Sequence, residues 1–396
     1  MGNVLILGGD GYLGWPTAMQ FSNAGHEVTV VDNYMRRHAA DQLNTGMLYP
    51  LPTLQERAKI WYEHTGKDIK VVIGDLADPE FMRSLFSGKA DISWAVSNKR
   101  LQLPDTVIHY AEQPSAPYSL ANYKLADTTL INNLRVTNNL IWAIKDLSRD
   151  THIVKLGTMG EYGTPNIDIE EGWLDVSHKG REDKFLFPRQ AGSLYHTTKI
   201  MDTDLLWFAV RMWDLKVTDL MQGPVYGIET EESSIDKRLR TIFNYDEIFG
   251  TIINRFVVQS VAGFPLTVYG KGGQTRGYLN IKDTLQCVDI AARNSPAKGE
   301  MQIFNQIMET FSVNELAEMI AALGNERGHN VEVSSIENPR KEAEEHYYNP
   351  SYHGLIELGV VPNYLTSEVL NEFFDIVESY SNNINTDVIF NGINWN

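Results

Sequence analysis

Four apolar residues in a row, Val4-Leu5-Ile6-Leu7, run into the turn Gly8-Gly9-Asp10-Gly11-Tyr12-Leu13-Gly14. An unbroken apolar run of this length predicts a strand buried on both faces, as in a parallel sheet. Apolar positions then recur at helical spacing over residues 15–24, with Pro16 tolerated in the first turn. Residues 27–31 predict a second strand, closed by Asp32. The same pattern predicts strands at 69–73, 107–110, 153–156 and 216–220, and helices at 53–64, 122–146 and 193–213. Strand and helix in alternation predict an α/β fold, a Rossmann-type doubly wound parallel sheet.

After residue 223 the alternation breaks. Helices are predicted at 248–261, 281–293 and 311–323, a short strand at 266–270, a loop at 274–278 and a polar segment from 338. This predicts a smaller C-terminal α/β substrate lobe. The expected division is a dinucleotide-binding domain over 1–223, with part of 278–300 returning to it, and a mainly substrate-binding domain over 224–396. The connection 33–68 is long for a strand-to-helix link, and such excursions are usually functional.

The chain has 396 residues, 43% of them hydrophobic and 21% charged, an ordinary globular balance. The net charge of −17 argues against nucleic acid and anionic membrane as partners. An anionic substrate would need local arginines. The single cysteine, Cys287, excludes an internal disulfide and fits a reducing compartment. No basic stretch followed by an apolar one precedes the first strand, and no run reaches the roughly 18–20 apolar residues of a membrane span, so a cytosolic protein is expected. No His, Asp or Glu cluster has metal-ligand spacing, and His346 beside Glu344 and Glu345 reads as a surface or substrate loop.

Strand, glycine turn, helix, strand, acidic residue is the order of a dinucleotide-binding βαβ unit. Gly8, Gly11 and Gly14 let backbone approach a pyrophosphate, which then faces the helix N-terminus. Asp32, 18 residues after Gly14, is placed to bond the adenosine ribose hydroxyls and so favours NAD. Arg36 and Arg37 leave a 2′-phosphate open. Asp75 after the third strand can receive the adenine amino group or cap a helix. The loop 111–119, with Gln113 and Ser115, follows the fourth strand and is a candidate wall of the site. Tyr195 and Lys199 lie one turn apart on one helix face, where a cation favours the ionised phenol and makes the tyrosine a base. Thr158 at the tip of the fifth strand would converge with them.

With these residues the chain resembles the extended short-chain dehydrogenase/reductase superfamily, nucleotide-sugar branch. The runs that carry the likeness to its sulfonated-sugar-forming members are Ser115-Ala116-Pro117-Tyr118-Ser119, residues 155–172, residues 269–278 and residues 342–349. The resemblance implies a bound NAD, UDP-glucose and sulfite as substrates, and a homodimer. It implies cofactor contacts from Tyr12, Leu13, Asn33, Leu76 and Val225 besides those above. Gln222, Arg255, Tyr269, Gln274, Arg276 and Arg340 are expected to hold the UDP-sugar, since planar guanidinium suits phosphate. Related 4,6-dehydratases carry Asp-Glu directly after the catalytic threonine. Here those places are Met159 and Gly160, so elimination across C5 and C6 needs another acid/base. His196 is the first candidate and Glu161 the second; His196 can also be a helix histidine bonding a carbonyl. Met159 and Gly160 can instead widen the pocket at C6. Pro114 stands where the resemblance leads one to expect arginine, so another group would hold the sulfite anion. A 4-epimerase, a 4,6-dehydratase and a non-catalytic NAD-binding module are the alternatives.

Overall fold

The computed structural model of the chain describes residues 2–96, 100–338 and 347–390. The first half alternates as the apolar pattern predicts. β1 (Asn3–Leu7), α1 (Gly14–Asn23) and β2 (Glu27–Asp32) form the opening unit. The excursion after it holds α2 (Met35–Gln42) and α3 (Leu54–Thr65), and α3 starts in a reciprocal cap between Thr53 and Glu56. β3 (Ile69–Ile73), α4 (Pro79–Phe86) and β4 (Thr106–His109) follow, then α5 (Ala116–Ala121) and the long α6 (Tyr123–Leu147). β5 (His152–Thr158) ends in a single 3₁₀ turn, Met159–Glu161.

A charged hairpin comes next, β6 (Trp173–His178) and β7 (Arg181–Leu186), anchored by an edge-on contact of Trp173 with Trp207. α7 (Leu194–Trp213) is started by Ser193, whose hydroxyl accepts the His196 N–H. β8 (Lys216–Gln222) and the two-residue β9 (Val225–Tyr226) lead out of the sheet.

The remaining elements are α8 (Ile252–Val261), β10 (Leu266–Tyr269), β11 (Thr275–Asn280), α9 (Ile281–Arg293), β12 (Met301–Gln306), β13 (Glu309–Ser312), α10 (Val313–Glu326), β14 (Val333–Ile336), α11 (Gly354–Glu357) and α12 (Ser367–Glu378). Most boundaries fall within one to three residues of expectation, and two differences have a local cause. The predicted loop 274–278 is strand β11, because β13 pairs with it antiparallel and β9 parallel. The helix predicted from 248 starts at Ile252, because the Asp246 carboxylate takes the N–H groups of Ile248 and Phe249 and holds them in a turn.

The main sheet has seven parallel strands in the order β12-β8-β5-β4-β1-β2-β3. Chain order reverses between β1 and β4, and a parallel sheet opens a crevice beyond the strand ends at such a point. The core packs on both faces, with Val4, Ile6, Trp15 and Val30 on one and Leu5, Leu7, Val107 and Ile153 on the other. The small lobe has its own core of Phe243, Phe256, Leu316 and Phe374. Among the described residues no helix is long and apolar enough to cross a membrane.

Candidate active site

The crevice beyond β1 and β4 is a cavity of about 390 Å³. Its floor is the glycine turn. The N–H groups of Gly8 and Gly9 both bond the Val31 carbonyl, and Gly8 has φ +87°, a conformation that side-chain-bearing residues rarely adopt. A Cβ on Gly14 would overlap the Gly8 carbonyl, so only glycine lets helix α1 start this close to the strand. Gly8, Gly11, Tyr12, Leu13 and Gly14 line this end, a cradle of backbone at a helix N-terminus that suits a pyrophosphate. Asn33, Asp75, Leu76 and Val225 line the same cavity.

Asp32 lines it too, with one carboxylate oxygen on the Asp10 N–H at 2.8 Å and the other on the Tyr34 N–H at 2.7 Å. Burial and the nearby Asp10 push its pKa up to about 6. Arg36 lines the cavity with its guanidinium 3.3 Å above the Phe249 ring centroid and bonded to Asn244. Burial pulls its pKa down to about 9, and its Nη1 is buried without a hydrogen-bond partner among the described residues.

Arg37 does not line the cavity, contrary to expectation. It forks onto both Asp10 oxygens at 2.7 Å and reaches the carbonyls of Leu51 and Pro52. Arg57 of α3, fully buried, meets the same Asp10 at 2.5 Å. The 33–68 excursion therefore supplies a buried cation that pins the glycine turn, which the sequence did not reveal. With Arg37 committed to Asp10, it offers no site for a 2′-phosphate.

Thr158, Tyr195, His196 and Gln222 face the other end of the cavity. The Thr158 hydroxyl accepts the Gly160 N–H, and the Tyr195 N–H bonds the Ser119 hydroxyl at 3.1 Å. The His196 imidazole lies over Gly160, where any Cβ would overlap its ring. Gly160 therefore does not widen the pocket; its missing side chain is replaced by the imidazole. Met159 is buried in the core instead. The Lys199 ammonium is 2.7 Å from Glu112 Oε1, a pair the sequence did not reveal. The Tyr195 phenol is pushed up from its ordinary range by burial and then by the Glu112 charge. This runs against the expectation that Lys199 alone would bring it down.

Glu161 does not reach the cavity. Its carboxylate accepts the Thr158 N–H at 3.2 Å and meets Lys155 Nζ at 3.3 Å, all within a fully buried cluster. Lys155 also bonds Asp219, Thr203 and the Lys199 carbonyl. Every Glu161 contact is thus internal, and its placement is that of a brace between the tip of β5 and helix α7. Gln113 and Ser115 are likewise turned inward. Gln113 bonds Ser115 and Thr129, and the Ser115 hydroxyl caps α5 and donates to the Ile248 carbonyl. Their neighbours Pro114 and Ala116 line the cavity instead.

Of the remaining expected sugar-nucleotide contacts, Arg255, Tyr269, Gln274 and Arg276 sit in the small lobe and do not line this cavity. Tyr269 donates to Glu247 at 2.7 Å, and the Arg255 guanidinium lies 6.0 Å from the Tyr269 ring centroid. Arg255 Nε and Nη2, Gln274 Oε1 and Glu247 Oε2 are buried without hydrogen-bond partners among the described residues, an unusual concentration of unused polar atoms. Arg276 stands on β11 and bonds the Thr275 carbonyl. Arg340 lies outside the described residues. Among the described residues no group of three His, Cys, Asp or Glu is placed to hold a metal ion.

Residues 4–305 match the NAD dependent epimerase/dehydratase family. The chain is 45% identical over 392 residues to the chloroplastic UDP-sulfoquinovose synthase of Spinacia oleracea, covering 99% of this chain and 79% of that one. It is 43% identical over 360 residues to the UDP-sulfoquinovose synthase of Sulfolobus acidocaldarius, covering 91% and 88%. In fold it matches the UDP-glucose 4-epimerase of Bifidobacterium longum, a structure in complex with NAD+ and UDP, with TM-score 0.70 at 18% identity over 96% of this chain and all of that one.

Proposed function

The chain belongs to the NAD dependent epimerase/dehydratase family and, within it, to the UDP-sulfoquinovose synthases, and from that footing we propose that it joins UDP-glucose and sulfite into UDP-sulfoquinovose. NAD is the cofactor, held by the glycine cradle, Asp32 and Arg36. When bound it accepts the C4 hydride of the sugar and later returns it.

The chain's own groups handle the protons. Tyr195 Oη takes the C4 hydroxyl proton, with Thr158 beside it to orient the oxygen. The 4-keto group so formed acidifies C5. His196 takes the C5 proton and gives it to the C6 hydroxyl, which leaves as water. Bisulfite gives its proton to the now neutral His196, the sulfur lone pair of the resulting sulfite adds at C6 of the 4-keto-5,6-ene, and the imidazolium passes that proton to C5. Tyr195 finally returns its proton to the C4 oxygen. The sum is UDP-glucose plus bisulfite giving UDP-sulfoquinovose and water. His196, once protonated, is also a cation beside C6, where Pro114 supplies none.

The observation that supports this most is the imidazole over Gly160, in one cavity with Thr158 and Tyr195. It occupies the place where an elimination carboxylate would otherwise stand. The UDP moiety would run past Tyr269 toward Arg255 and Gln274, whose unused buried polar atoms suit a nucleotide. A homodimer is proposed through α6 and α7, which expose Ile131, Trp142, Phe208 and Met212 on one surface. Incubation with UDP-glucose, with and without sulfite, tests the reaction. A product that gains the mass of a sulfonate only when sulfite is present supports it. UDP-galactose as the sole product refutes it.

A further inference from the structure

Glu112 stands three residues past the end of β4 and lines the cavity that holds Thr158 and Tyr195. Its Oε1 sits 2.7 Å from Lys199 Nζ, and both side chains are 4% exposed. Its Oε2 is buried and accepts no hydrogen bond among the described residues. Behind it His109 Nε2 lies 3.6 Å away, bonded to Thr137 and held uncharged because burial pulls its pKa down to about 4. The lysine is fixed at both ends: Lys155 bonds its carbonyl at 3.3 Å and Glu112 its ammonium. We propose that Glu112 is a positioning residue for the proton chemistry at Tyr195, seating Lys199 and dividing that lysine's charge between itself and the phenol. The proposal rests on the reading of Tyr195 as the C4 base.

The charged groups around the phenol come from three directions. Glu112 stands on the loop after β4, Lys155 and Glu161 on β5 and its turn, and Asp202 on α7 itself, three residues beyond Lys199. Burial works against the Glu112 carboxylate, but the Lys199 charge, with Lys155 behind it, outweighs it and keeps the group ionised. Burial likewise opposes the Lys199 charge, and Glu112 with Asp202 outweighs it. An ionised carboxylate this close makes a neighbouring phenol harder to ionise, and it takes up part of the attraction that Lys199 would otherwise exert on the phenolate. Lys199 then stays charged and fixed, while Tyr195 becomes a base only at a higher pH than it would without the Glu112 anion.

The test is Glu112→Gln, which keeps an acceptor for Lys199 but removes the anion. The acid limb of C4 oxidation marks where the phenol becomes a base, so removal of the anion should move it to lower pH, by about 1 unit. C4 oxidation is read as reduced nicotinamide formed from UDP-glucose without sulfite, with NAD occupancy checked by titration. A limb that stays within about 0.2 unit overturns the proposal. Should Glu112→Gln fail to fold, Glu112→Asp serves: the charge is kept, so the limb stays and kcat falls, and a limb that moves overturns the proposal. A second arm uses the unloaded protein and no catalysis. Lys199→Met strands a buried anion and should melt several degrees lower, and Glu112→Gln combined with Lys199→Met should recover most of the loss. No recovery also overturns the proposal. A parent protein that binds NAD but never oxidises UDP-glucose refutes the C4 reading instead, while the melting arm still decides the Glu112–Lys199 pairing.

Discussion

Gly160→Ala adds one methyl group directly beneath the His196 ring. Gly160 has no left-handed backbone angle, so the change carries no backbone strain. Three imidazole atoms lie within 2.8 Å of the place a Cβ would take. Carbon contacts are comfortable only from about 3.5 Å, so the ring has to move by roughly 1 Å. A shift of that size at a reacting group costs on the order of a hundredfold in rate, or about 3 kcal/mol at the barrier. The three atoms nearest the new methyl all belong to His196 and none to Tyr195 or Thr158. The expected result is a split: sulfonate formation, followed by mass spectrometry, falls about a hundredfold, while the rise in reduced nicotinamide on adding UDP-glucose stays within about threefold of the parent. Sulfonate formed at the parent rate, or both steps lost in parallel, would refute the reasoning, because the imidazole would then have no separate part in elimination.

Three further outcomes are expected. Because Asp32 ionises near pH 6 in the unloaded protein, its carboxylate is present above that pH and lost below it, so NAD affinity measured by calorimetry should fall as pH drops through about 6; an affinity flat from about pH 5 to 7.5 contradicts the ribose role. Lys155→Met leaves Asp219 as an uncompensated buried charge and Glu161 with only Arg189 at 3.7 Å, and urea unfolding should show a loss of about 3–5 kcal/mol; a change below about 1 kcal/mol would show that the cluster is not a brace. Trp142→Glu with Met212→Glu places charge on the exposed stripe of α6 and α7, and sedimentation should shift from dimer to monomer; an unchanged dimer would place the interface elsewhere.

The parts of the molecule legible in the sequence are those whose cause is local. The glycine turn, Asp32 and the Tyr195/Lys199 spacing each depend on residues within one unit of structure, and all of them appear around one crevice except for Lys199, which reaches it through Glu112. What was not legible depends on distant partners. Glu112 meets Lys199 across 87 positions and Arg57 meets Asp10 across 47, and no periodicity records such pairs. Arg37 illustrates the same limit in reverse, since its place after β2 suggests a phosphate while Asp10 takes its guanidinium. In the hairpin β6–β7 no residue is fully buried and β7 carries charge on both faces, so it has no clear apolar alternation to read. Strand β12 alternates Met, Ile and Asn with Gln and Phe at the sheet edge, too mixed a pattern to mark it as the seventh strand.

The central claim is that oxidation at C4 and elimination at C5 and C6 belong to different side chains in one cavity. His196→Ala, supplied with UDP-glucose and sulfite, tests it in a single time course that records reduced nicotinamide and sulfonated product together. The account predicts C4 oxidation near the parent level and sulfonate lowered by about 10²-fold or more. Sulfonate at the parent rate would contradict it and return the search for the elimination group to the other polar atoms facing Thr158 and Tyr195.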